Sequence, residues 1–134
     1  MSLLNFHKRL LLLNLLLLGL IFLLSLKIEE ATSLIVSSMA TVPFTAVASF
    51  LFNRWQVRSR NLDIESPEMS VDASAIESKM TFATFLVVLG LGLGCAATVV
   101  FAPEYASRAA WVPPVLGWNL GNNSEALARF RRKN

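Results

Sequence analysis

Residues 31–53, ATSLIVSSMATVPFTAVASFLFN, set the strongest limit on what this chain can fold into. These 23 residues carry no charge. At ~1.5 Å rise per residue, a helix of that length crosses a hydrocarbon core ~30 Å thick. Small polar residues run through it: Ser33, Ser37, Thr41, Thr45, Ser49 and Asn53 recur at an unbroken spacing of four. On an α-helix this spacing traces a ridge of short side chains that drifts slowly around the axis. Such a ridge lets a second helix approach closely, and its hydroxyls bond to backbone or to the partner. The stretch therefore reads as the packing core of a small membrane bundle.

The flanks agree. Residues 10–26, LLLLNLLLLGLIFLLSL, are almost pure leucine behind His7-Lys8-Arg9, and predict a first transmembrane helix. The same layout suits a signal peptide, but Lys27-Ile28-Glu29-Glu30 is a poor cleavage context, so an uncleaved helix is expected. The link at 27–30 is short enough to force helices one and two into a tight antiparallel hairpin. Pro43, near the middle of helix two, predicts a kink there. Asn53-Arg54-Trp55 predicts its end, with Trp55 in the headgroup belt and Arg54 snorkelling outward.

A polar loop follows over 54–79, then a third span over 80–102, MTFATFLVVLGLGLGCAATVVFA. Gly90 and Gly94 form a GxxxG that Thr98 extends at the same spacing, a second small-residue ridge. Facing the ridge of helix two it gives a close crossing; turned outward it gives a docking face. Pro103 ends the span. In the tail, 103–134, residues 109–120 are apolar but too short to cross, and Pro113-Pro114 predicts a break. Trp111 and Trp118 suggest a segment lying at the membrane interface. The expected architecture is a single all-α membrane domain with three transmembrane helices and an interfacial C-terminal tail.

Charged residues make up only 16% of the chain, against ~25% in soluble domains. The net charge of +3 comes from cations that flank apolar runs, so it orients the chain in a membrane and does not point to nucleic acid. Lys8, Arg9, Arg54, Arg58, Arg60 and Lys79 fall on one side and Lys27 and Arg108 on the other, six to two. The positive-inside rule then puts the N-terminus and the 54–79 loop on the cytoplasmic side of a bacterial inner membrane or similar organelle membrane. Three spans leave the tail, with Arg129, Arg131, Arg132 and Lys133, on the opposite side.

Cys95 and His7 are the only cysteine and histidine. Cysteine-based zinc sites and multi-imidazole metal sites are thereby excluded, and no catalytic pair stands out. The sequence thus predicts no enzyme. It predicts a non-catalytic subunit or assembly factor of a larger membrane complex, whose partners are other integral membrane subunits and lipid. Ser33, Ser37, Thr41, Thr45, Ser49, Gly90, Gly94 and Thr98 are the expected contacts, with Arg54, Trp55, Trp111 and Trp118 as interfacial anchors. No cofactor is specified, although His7 at the start of helix one is a candidate axial ligand for a pigment or haem.

Ser49-Phe50-Leu51-Phe52-Asn53-Arg54-Trp55 resembles the close of the second span in the GtrA-like family, a likeness covering residues 31–55. That resemblance implies an alternative role, a small transporter or a component moving lipid-linked sugars. The family's four-span pattern would require a further helix, which the tail is not expected to form. The basic start and apolar helix pair also resemble ATP synthase protein I in outline, which implies an assembly factor.

Overall fold

The computed structural model describes residues 3–60 and 77–133, and among these every long element is an α-helix, with no strand. The leucine-rich opening forms α1 (Leu3–Lys27), longer at its start than expected because His7 finds a packing partner, Phe130, at the far end of the chain. Only Ile28 separates it from α2 (Glu29–Met39). Groups at this bend are satisfied locally. The Thr32 hydroxyl lies 2.6 Å from the Ser25 carbonyl oxygen and 2.8 Å from that of Ile28.

The second apolar stretch is not one kinked helix. α2 stops at Met39, Ala40 and Thr41 form a turn, and α3 (Val42–Arg60) begins one residue before Pro43. Inside a helix, a proline lacks the donor for the carbonyl four residues back and clashes with it; in the first turn it does neither. The chain therefore restarts the helix here. The Thr41 N–H and hydroxyl both reach the Ser38 carbonyl, at 3.1 and 2.6 Å. Nor does α3 stop at Asn53-Arg54-Trp55, because residues 54–60 contain no Gly or Pro. The expected 54–79 loop is thus shortened at both ends, since α4 (Glu77–Phe101) starts early; residues 61–76 lie outside those described.

Among the described residues, three segments are long and apolar enough to cross a membrane: Leu4–Lys27, Thr32–Ser59 and Ala83–Phe101. After α4 a single 3-10 turn (Pro103–Tyr105) and α5 (Ala106–Ala109) fold the chain back into the bundle. The Ala109 carbonyl oxygen comes 3.6 Å from Cys95 Sγ, and the Ser38 hydroxyl donates to the Ala110 carbonyl.

The tail corrects the sequence reading. Pro113-Pro114 do not break it. They sit in the first turn of α6 (Val112–Lys133), where the backbone N–H groups lack helical acceptors in any case. α6 packs against both α1 and α3, and α3–α6 is the most extensive helix pair. The two run in the same direction. Val42 and Thr45 lie against Gly117, Ala46 and Ser49 against Gly121, and Asn53 reaches Asn122. Leu10, Leu17 and Ile21 of α1, Val88 and Val99 of α4, and Leu116 of α6 share one buried core.

Candidate functional site

The ridge of helix two divides. Ser33, Ser37 and Thr41 are exposed, Thr45 is half-buried and Ser49 is fully buried. Within a helix a spacing of four advances about 40° per step, and the turn at Ala40 and Thr41 interrupts the ridge between Ser37 and Thr45. It starts outward and ends facing α6. There Gly117 and Gly121 form a second GxxxG pair, on the tail segment expected to be broken at Pro113-Pro114. A Cβ at Gly121 would overlap the Ala46 carbonyl and come within 2.8 Å of Ser49 Cβ. One at Gly117 would meet the Thr45 hydroxyl and come within 3.1 Å of the Val42 carbonyl oxygen. Close approach delivers Asn122, whose side-chain oxygen accepts from both the Ser49 hydroxyl and the Asn53 amide. The signal was present as the spacing of Gly117, Gly121 and the asparagines behind them.

The two expected ridges do not face each other. Gly92 is the glycine of α4 in contact with α1: a Cβ there would come 2.9 Å from Leu17 Cδ2. Residues two apart on a helix differ by about 200°, so with Gly92 inward, Gly90 and Gly94 turn outward. A Cβ at either would meet nothing within 4 Å. Thr98, half-buried, donates to the Gly94 carbonyl at 2.8 Å.

His7 is held against the second half of α6. Its Nδ1 donates to Asn123 Oδ1 at 3.0 Å, with the ring edge-on to Phe6 and tilted against Phe130, centroids 5.6 and 5.9 Å away. With Nδ1 so committed, it is not the nitrogen that a metal-bound pigment would take. Nearby on α6, Glu125 and Arg129 form an ion pair at 3.5 Å, both largely shielded from solvent. The C-terminal end of α6 therefore lies beside the start of α1. The expectation that the basic tail sits at the opposite end of the bundle from Lys8 and Arg9 is not met.

Of the expected anchors, Trp55, Trp111 and Trp118 are all exposed. Phe52 brings two of them together, with ring centroids 6.2 Å from Trp55 and 5.9 Å from Trp118. Trp111 follows Ala110, whose carbonyl Ser38 binds. Arg54 is half-buried and lines an open groove of about 650 Å³ between α1, α3 and α6. Leu11, Phe50, Ser124, Leu127 and Ala128 also line it, and Arg131 provides a second guanidinium. Arg54 Nε is buried and has no hydrogen-bond partner among the described residues.

The fold and these faces define a helical protein whose described residues include three segments long and apolar enough to cross a membrane, compatible with a multi-pass membrane protein. Compared with protein-family models, curated proteins and solved structures, the chain matches none.

Proposed function

We propose that the chain is an integral membrane subunit or stabilising factor that acts by docking other membrane helices, without chemistry of its own. One observation carries this reading: Gly90 and Gly94 present an open strip of backbone on α4, with nothing within 4 Å of a Cβ placed at either. In a bilayer, helices associate through close packing of small residues more than through apolar burial, and this spacing is the one that permits it. Ser33 and Ser37 on α2 give a second exposed small-residue face. Meanwhile the chain's own α3–α6 contact uses Gly117 and Gly121, so the α4 strip is not needed to hold the bundle together.

Gly94→Leu tests this. In a mild-detergent extract run on a native gel, the wild-type chain is expected in a larger assembly, and the variant as a folded but smaller species. An unchanged band would count against the α4 strip as a contact face.

A further inference from the structure

We propose that the groove between α1, α3 and α6 is a binding site for an anionic glycerophospholipid, with one acyl chain along its apolar lining and the phosphate between Arg54 and Arg131. The inference stands apart from the docking role, which uses the opposite character of surface on α4. Three observations carry it. Leu11, Phe50, Leu127 and Ala128 make most of the groove's lining apolar, with Ser124 beside them, so it suits a hydrocarbon chain. It is cationic at two points, Arg54 and Arg131, on different helices. And Arg54 Nε is a buried donor with no acceptor among the described residues, which is costly for a charged group and is relieved by a phosphate oxygen.

The surroundings favour this occupant. Leu11 lies one turn beyond the exposed Lys8 and Arg9, and Arg58 is exposed one turn beyond Arg54. Basic pockets between helices at a cationic membrane face are where phosphate headgroups gather. Arginine suits the role because its planar fork takes two phosphate oxygens at once.

The experiment reconstitutes the full chain in vesicles of equal phosphatidylglycerol and phosphatidylcholine, extracts it gently and counts retained lipids by native mass spectrometry. The wild type should retain phosphatidylglycerol in preference to phosphatidylcholine. Arg131→Gln, at an exposed position where the fold is little perturbed, and Arg54→Gln should each cut that preference about fivefold. Ala128→Phe, which fills the groove and leaves both charges in place, should abolish retention. Equal retention of the two lipids by the wild type would overturn the proposal, as would retention indifferent to both arginine variants or to Ala128→Phe. Displacement by millimolar inorganic phosphate would also overturn it, because the site would then be an anion site and not a lipid site.

Discussion

The His7 Nδ1 lies 3.0 Å from Asn123 Oδ1, a bond between residues 116 apart in sequence that ties the start of α1 to the middle of α6. Phe130, fully buried, closes over the same imidazole. The clasp makes the two chain ends one structural unit. Removing either partner should loosen the end of α6 first. His7→Ala and Asn123→Ala are expected to couple by about 0.5–1.5 kcal/mol in a double-mutant cycle on unfolding in detergent. Each should also speed tryptic cutting at Arg129 and Arg131. Additive effects and unchanged cutting would show that the bond holds nothing.

Gly121 tests the α3–α6 seam. Two effects oppose each other in Gly121→Ala: alanine is the better helix former by about 1 kcal/mol, while overpacking costs about 1–3 kcal/mol. The atom in the way is the Ala46 backbone carbonyl, which has no rotamer to escape into, so the clash should win. The midpoint of thermal unfolding, followed by circular dichroism, should fall. Gly94→Ala, in open space, should leave it unchanged or raise it. The reverse order would mean α3 and α6 do not pack as described.

These two glycines also show what the sequence conveys and what it hides. α1 and α4 were legible because apolar runs of this length read as membrane-crossing helices whatever packs against them. The small-residue ridge of 33–53 was legible as a ridge, but its facing was not, since drift about the axis and the helix restart before Pro43 decide which members turn inward. For α4 the GxxxG spacing drew attention to Gly90 and Gly94, while the internal contact falls on Gly92, about half a turn away. α6 was misread because a proline pair breaks a helix interior but suits a helix start. Composition alone does not say which of these Pro113-Pro114 is. Asn122 and Asn123 match only a short glycosylation sequon with Ser124 in the sequence, and their packing role emerges once α6 brings them to Ser49, Asn53 and His7.

Asn14 is one of two fully buried polar residues described in α1, with Ser25. Its amide donates to the Leu10 carbonyl at 2.9 Å, while Oδ1 has no partner among the described residues. The bond it makes is a local one that the helix can spare. The unsatisfied oxygen costs about 1–3 kcal/mol. Asn14→Leu, similar in size, should therefore raise the unfolding midpoint of the isolated chain or leave it unchanged. A drop would mean that Oδ1 is satisfied by a group outside the chain, and Asn14 would then join the partner contacts.

The last prediction concerns sidedness. With a tail that leaves the third span and stays out, Arg129 and Arg131 would face away from Lys8 and Arg9, against the positive-inside preference. The fold removes that conflict: residues 102–111 turn back into the bundle, and α6 runs alongside α3 until Phe130 meets His7. The cations of both chain ends then gather with Arg54 and Arg58 at one end. Glu29, exposed at the bend after α1, lies about 30 Å along the helix from Lys8 and marks the other end. On a Cys95→Ala background, single cysteines at Lys8, Arg131 and Glu29 can be tested in oriented membranes with an impermeant maleimide. Lys8→Cys and Arg131→Cys should react from the same face, and Glu29→Cys from the opposite one. Reaction of the Lys8 and Arg131 positions from opposite faces would sink the returning tail, and with it the groove that α6 completes.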